Sequence, residues 1–489
     1  MATFASALHG VSGRLAQADS YVTCNALRTA FALAMSEMYR REVPQYGDLV
    51  NIVKTVNEDV LAKSPLGAKG ASTMRLSLER HGAIRVGTPD ELRTIRRIFE
   101  LLGMRAVGYY DLSVAGLPMH ATAFRPIDSS ALEENPFRVF TTLLRPELLR
   151  TAEARELALA LLSQREVFTE DLTKLLDVAD RQRGHLTEQQ AEGFILQALL
   201  TFSWRPVAAA TREQYEMLNA EHPILADISC FRSIHINHLT PRTLDISAAQ
   251  IAMKQAGLQA KCSVEGPPAR KHPILLRQTS FLALEESVLF PDSVCVAKEL
   301  IQGHHKARFG EIEQRGAAVT PAGRSLYDQL HAKATACAAK NSDQSSRESV
   351  IAHVFQDFPD DWEQLRKQGL VYCEYKCSFD LPLQPFEARR DDSALLLDRL
   401  VEQGVIEALP ITYEDFLPFS AAGIFQSNLG SNQDTKPQAI VKDAFSDQQG
   451  LEEALGCPIL NPDSLYQAIE RESIDRCVDQ LRSRGILRE

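Results

Sequence analysis

Apolar residues recur at helical spacing from Ser20 to about Leu61, at Leu27, Phe31, Met35 and Met38 and then at Leu49, Val53 and Val56. Pro44 and Gly47 break this run into two helices. The character of the chain changes at His81. HGAIRVGT reads as a short strand, PDELRTIRRIFELLG as a helix that opens on proline and closes on glycine, and MRAVGYYDLS, MHATAFRP and FRVFTTLL as three more strands. The same order returns further on. HINHLTPRTLD is strand-like, ISAAQIAMKQAGLQ helix-like, and KCSVEGPP, HPILLRQTSFLAL and HKARFGEIEQRGAAVT read as three strands. Each half opens on a strand carrying a histidine, which points to an α+β chain built on a divergent β-α-β-β-β repeat.

These patterns set the expected boundaries. An N-terminal helical segment covers 1–75, a first β-α-β-β-β module 76–149, a helical insertion 150–220, a second module 221–325 and a C-terminal helical region 326–489. Within the last, AKNSDQSSRES at 339–349 reads as an exposed loop. The segment 413–430, in which Phe416, Phe419 and Phe425 alternate with glycine, proline and small residues, reads as a packed, site-forming loop.

Composition narrows the chemistry. The 489 residues carry 53 basic and 64 acidic side chains, a net charge of −11, and 45% apolar residues. An acidic chain without a basic face is a poor partner for nucleic acid or anionic membranes, so a small-molecule substrate is expected. No apolar run approaches the length of a bilayer span. The first 18 residues contain no acid and carry Arg14, a weak sign of organelle import beside the plainer expectation of a cytoplasmic protein. Nine cysteines, an odd number widely spread, read as reduced thiols. Cys373 and Cys377 have no second pair to complete a zinc site. Phosphate-cradling GxxxxGK[ST], HExxH and GxSxG motifs are absent from the sequence.

The chemistry-bearing residues lie on the strands. On a strand of period two His81, Ala83 and Arg85 share a face, so an imidazole and a guanidinium project side by side. His235 and His238 are three apart and face opposite sides of a strand, so one must be chosen; His238 is the expected ligand and His235 a supporting or structural residue. Glu311 and Glu313 share one strand face near Arg308 and Arg315, one carboxylate expected to bind a metal and the other to answer an arginine. One histidine from each half plus a carboxylate make a two-histidine, one-carboxylate set, which suits non-haem Fe(II) and O2 chemistry, although zinc accepts the same donors.

ERHGAIRVGT, VGYYDLS, HINHLTPRTLD, VEGPP, HPILLRQTSF, ARFGEIEQRGAAVTP and YEDFLP followed by SAAGIFQSNLG resemble the 2-oxoadipate dioxygenase/decarboxylase family, also called hydroxyglutarate synthase, of the vicinal oxygen chelate superfamily. The resemblance spans about Phe31 to Gly456. It implies two modules closing as a half-barrel around Fe(II), with His81, His238 and Glu311 as ligands. It also implies Arg85 as the catalytic, substrate-binding arginine, His81 beside the substrate, and a main-chain substrate contact at Phe419 next to Ser420. Phe419 departs from the smaller aliphatic residue of the relatives and bears on pocket size. The implied reaction turns 2-oxoadipate and O2 into 2-hydroxyglutarate and CO2, a step of lysine breakdown. The alternatives are another metal-dependent isomerase or lyase using Glu313 as a base, or a non-catalytic binding protein.

Overall fold

The computed structural model describes residues 21–63, 73–261, 263–292, 300–339, 344–378, 386–387, 393–417 and 446–488. They form two compact units. One comprises 1–264, 278–314 and 416–460, the other 265–277, 315–415 and 461–489.

The first unit is centred on a five-stranded sheet. Its strands are β1 (Arg80–Val86), β2 (Arg105–Asp111), β3 (Met119–Arg125), β4 (Arg138–Leu144) and β5 (His238–Pro241), in the order β2-β3-β4-β1-β5. β1 runs parallel to β4 and antiparallel to β5. Parallel pairing of β1 with β4 requires a crossover, and the helix Pro89–Leu101 begins it. That helix starts where the sequence says it should: Thr88 and Glu91 form a reciprocal capping box with proline in the first turn. Its buried residues Leu92, Ile95, Ile98 and Phe99 join Ile84 and Val86 from one face of β1 in a single apolar core. The opposite face of β1 carries His81, Ala83 and Arg85 away from that core.

Helices Cys24–Glu42 and Pro44–Lys63 come first among the described residues, as expected, and Ala152–Ser163, Glu170–Arg181 and Glu188–Phe202 fill the segment after β4. Phe31, Phe99, Phe194 and Phe202 are fully or almost fully buried in the shared core. Removing one such ring costs about 3–5 kcal/mol.

The second half differs from a copy of the first. β5 is hydrogen-bonded to β1 and so extends the first sheet. The helix Ile246–Gln255 follows, and then β6 (Leu276–Ser280), β7 (Glu286–Pro291), β8 (Leu300–His305) and β9 (Glu311–Arg315) pair as β6 with β9 and β7 with β8. KCSVEGPP, expected as a strand, contributes none among its described residues. Gly266 there holds φ +101°, and a Cβ on it would sit 2.1 Å from the Leu276 carbonyl oxygen, so the backbone turns where a strand would run straight.

In the second unit the helix Pro321–Ala338 is followed by helix Gln344–Val354, where a loop is expected through 349. The region after 326 is also not wholly helical. Strands Cys373–Cys377 and Ile406–Pro410 pair antiparallel, and Cys477 in the helix Pro462–Ser483 donates its thiol to the Tyr375 carbonyl.

Candidate metal centre

Strand register brings the two expected histidines together. On the antiparallel β1–β5 pair Thr240 lies opposite His81, and His238 opposite Ala83. Ala83 shares its face with His81, so His81 and His238 become diagonal neighbours, with ring centroids 5.3 Å apart and planes nearly perpendicular. β9 supplies the third group. It follows β5 through a parallel bridge between Arg242 and Glu313, and the Thr243 amide donates to the Glu313 carbonyl at 2.8 Å.

The resulting cluster is closed to solvent. One ligand atom from each of His81, His238 and Glu311 lies within 4.8 Å of the others, and all three side chains are buried. Glu311 Oε2 stands 3.0 Å from His81 Nε2 and 3.6 Å from His238 Nε2. The same oxygen accepts hydrogen bonds from Thr240 Oγ1 and Gln278 Nε2, both at 3.0 Å, while the buried Oε1 accepts none among the described residues. Phe416 meets the His81 ring edge-on at 5.0 Å, and Phe309 lies 4.8 Å from the His238 ring.

The charges of the cluster explain what it can hold. Burial pushes the His238 imidazole down to about 4, so it is neutral and has a lone pair to give. Burial also draws His81 down, but the carboxylates of Glu313 and Glu311 outweigh it and raise its proton affinity. Burial alone would raise Glu311; the neighbouring His238 and His81 bring it below the ordinary value. Two carboxylates around one imidazole are an environment in want of positive charge. Two imidazole nitrogens and a carboxylate oxygen at this spacing fit a transition-metal ion, a donor set that Fe(II) and zinc both accept.

Glu313 has a separate part. Its Oε2 lies 2.8 Å from His81 Nδ1, and Arg138 approaches its other oxygen at 4.0 Å. A carboxylate on the far nitrogen of a ligating imidazole fixes the ring and the tautomer that points Nε2 at the ion. This engagement counts against Glu313 as a general base. Glu311 is the carboxylate that joins the cluster, while Glu313 meets His81 and is approached by Arg138 rather than by the neighbouring Arg308 or Arg315.

Arg85 and His235 are buried on a different centre. Both pair with Asp227, a residue that the sequence analysis does not single out. Asp227 also takes His305 Nε2 at 2.8 Å. Thr240, Gln278 and Asp227 carry no periodic signature that marks them in the sequence; for Asp227 the one available sign is an acid inside the apolar run PILADIS. Phe419 and Ser420 lie outside the described residues. Cys373 and Cys377 belong to no metal-binding group among the described residues. No described helix is long and apolar enough to cross a membrane.

Comparison with known proteins agrees with this picture. The family model for 2-oxoadipate dioxygenase/decarboxylase matches residues 31–428. A 2-oxoadipate dioxygenase/decarboxylase of Escherichia coli K12 is 46% identical over 462 residues, 93% of this chain and 98% of that protein. One from Mycobacterium tuberculosis is 36% identical over 453 residues, 91% of this chain and 97% of its own length. A crystal structure of the Pseudomonas putida hydroxyglutarate synthase in complex with 2-oxoadipate superimposes with a TM-score of 0.82 at 42% identity, covering 95% of this chain and all of that one. With both the family model and near full-length relatives matching, this chain belongs to the 2-oxoadipate dioxygenase/decarboxylase family.

Proposed function

We propose that this protein converts 2-oxoadipate and O2 into 2-hydroxyglutarate and CO2, as a step of lysine breakdown, using Fe(II) held by His81, His238 and Glu311. The observation that carries the proposal is the convergence of these three buried donors in a chain of this family. When bound, Fe(II) supplies O2 activation and Lewis acidity toward the 2-oxo acid.

The protein's own groups then have distinct tasks. Thr240 and Gln278 fix the Glu311 carboxylate through Oε2, so its orientation does not depend on the ion alone. Glu313 fixes the His81 ring. Phe416, Phe309 and Phe140 surround the donors with apolar surface, which keeps bulk water from the reacting carbon. Arg85, on the same strand face as His81, binds the distal carboxylate of the substrate and thereby selects chain length. The main chain at Phe419, beside Ser420, completes the substrate contact. The architecture reads as a variant of the two-module vicinal oxygen chelate plan, with modules at 76–149 and 221–325, in a cytoplasmic enzyme.

The test is anaerobic loading with Fe(II), addition of 2-oxoadipate, and admission of air while O2 uptake and CO2 release are followed and the product is identified by mass. Stoichiometric O2 loss with 2-hydroxyglutarate is the expected result. Metal-loaded protein that consumes no O2 with this acid would refute it.

A further inference from the structure

Asp227 sits in the short helix Pro223–Ser229, 4% exposed, and gathers four groups from three parts of the chain. Its Oδ2 pairs with Arg85 and lies 3.4 Å from Asn237 Nδ2. Its Oδ1 takes His235 Nε2 at 3.1 Å and His305 Nε2 at 2.8 Å. His305 Nδ1 meets the Tyr215 hydroxyl at 2.9 Å. Trp204 stacks over His305, with centroids 5.9 Å apart and an 8° angle between planes, and stands edge-on to His235 at 4.7 Å. Trp204 is held in turn by its backbone amide to Glu42 and by Arg308, whose guanidinium lies 5.1 Å from the indole. The Asp227 carboxylate is fixed from several sides before any substrate arrives.

We propose that Asp227 is the positioning residue for Arg85, holding the guanidinium at one place and angle so that it measures the length of the substrate. This rests on the reading that Arg85 takes the distal carboxylate. A free arginine side chain would follow a shorter acid toward the metal donors and blur the distinction; one pinned through a terminal nitrogen does not follow. Arg85 shares its face of β1 with the donor His81. Two other roles for the network fit less well. A proton relay from Tyr215 has nothing to deliver, since 2-oxoadipate and O2 give 2-hydroxyglutarate and CO2 with atoms and charges balanced and no outside proton or electron. A second metal site is disfavoured because Arg85 already offsets the Asp227 charge and both imidazoles address the same oxygen.

Steady-state kinetics of the Fe(II)-loaded protein, with iron content measured in parallel, test the idea. Asp227→Asn is expected to raise KM for 2-oxoadipate about 10- to 100-fold, since a hydrogen bond to a charged group is lost, with kcat changed by less than about threefold. Iron content stays at the parent level. The preference for 2-oxoadipate over the 2-oxo dicarboxylate one carbon shorter falls by at least about tenfold. Combined with Arg85→Lys, Asp227→Asn adds no further KM effect, because the two act through one contact. An unchanged KM in Asp227→Asn, with Arg85→Lys still raising it, overturns the positioning role and leaves the Arg85 reading intact. Parent KM in Arg85→Lys removes Arg85 from the substrate site and the inference with it. Should Asp227→Asn fail to fold, His305→Gln decides. It loosens the carboxylate without removing its charge and is expected to raise KM about threefold at constant kcat, and an unchanged KM there overturns the proposal.

Discussion

Two buried sets of two histidines and one carboxylate stand on the same face of β1, and they differ in where their positive charge comes from. In the first set, among the described residues, the Glu311 carboxylate meets the imidazoles of His81 and His238 and the neutral donors Thr240 and Gln278, with no arginine paired to it. His235, His305 and Asp227 have Arg85 built in. In the second set the carboxylate is therefore held well below its usual range: burial opposes this, and Arg85 and the two histidines outweigh it. The same pairing of two histidines with one carboxylate thus yields a centre that asks for a cation and a centre that already owns one. Residue composition alone does not mark a metal site; the charge balance around it does.

The comparison can be broken at either end. The largest effect is expected from His238→Ala or Glu311→Gln, which should weaken Fe(II) binding by more than about 100-fold in an equilibrium titration, beyond what supporting residues do. His235→Ala, on the other set, should bind iron as the parent does, and equal metal content in His238→Ala and His235→Ala would undo the distinction. Next comes Arg85→Met, which leaves Asp227 buried without its cation and should cost about 3–5 kcal/mol in denaturant unfolding. A parent-like midpoint would mean that the Asp227 charge is offset elsewhere. Glu313→Gln should lower Fe(II) affinity about 10- to 100-fold while still reaching full occupancy at high metal, since the ligands themselves remain.

Acid separates the sets from a reference histidine outside both. His120, buried on β3, is pushed down to about 4 by burial and by Arg145. The unfolded chain therefore binds a proton there first, and stability should fall as the pH drops from about 6.5 toward 4, by up to about 1.4 kcal/mol per pH unit. His120→Gln should flatten that slope. Asp227, whose folded value is depressed, contributes stability that is present above about pH 4 and is lost only as the pH falls further. The smallest effect is expected from Tyr215→Phe, which removes one hydrogen bond to His305 and should cost about 1 kcal/mol in thermal unfolding with iron binding untouched.

Much of the first sheet was legible in advance, because strand alternation around His81 and the Thr88–Glu91 cap are local signals. His238 lies on β5, where strand register sets it beside His81, but His235, expected on the same strand, precedes β5, so strand alternation is not what separates the two. The second half was less legible. β7 and β8 carry no short turn signature, and Gly266 with its neighbouring prolines imitates a strand while bending away from one. The helix Gln344–Val354 hides behind polar composition. Asp227 was invisible for a different reason. Its importance comes from partners distant along the chain, Arg85 on β1 and His305 on β8, and no window of sequence contains them together.

Tyr39 shows what such distances imply for the life history of the protein. Its hydroxyl, on the first helix, reaches the carbonyl oxygens of both Asn237 at 3.0 Å and Phe309 at 2.7 Å, the residues just before His238 and two before Glu311. His81 and Glu311 are 230 positions apart along the chain. Closing loops of that size comes late in folding, and ligands so dispersed offer an ion no foothold on the nascent polypeptide. A metal ion held by these residues would therefore bind a chain already folded, unlike the zinc of a zinc finger, which assembles its own fold.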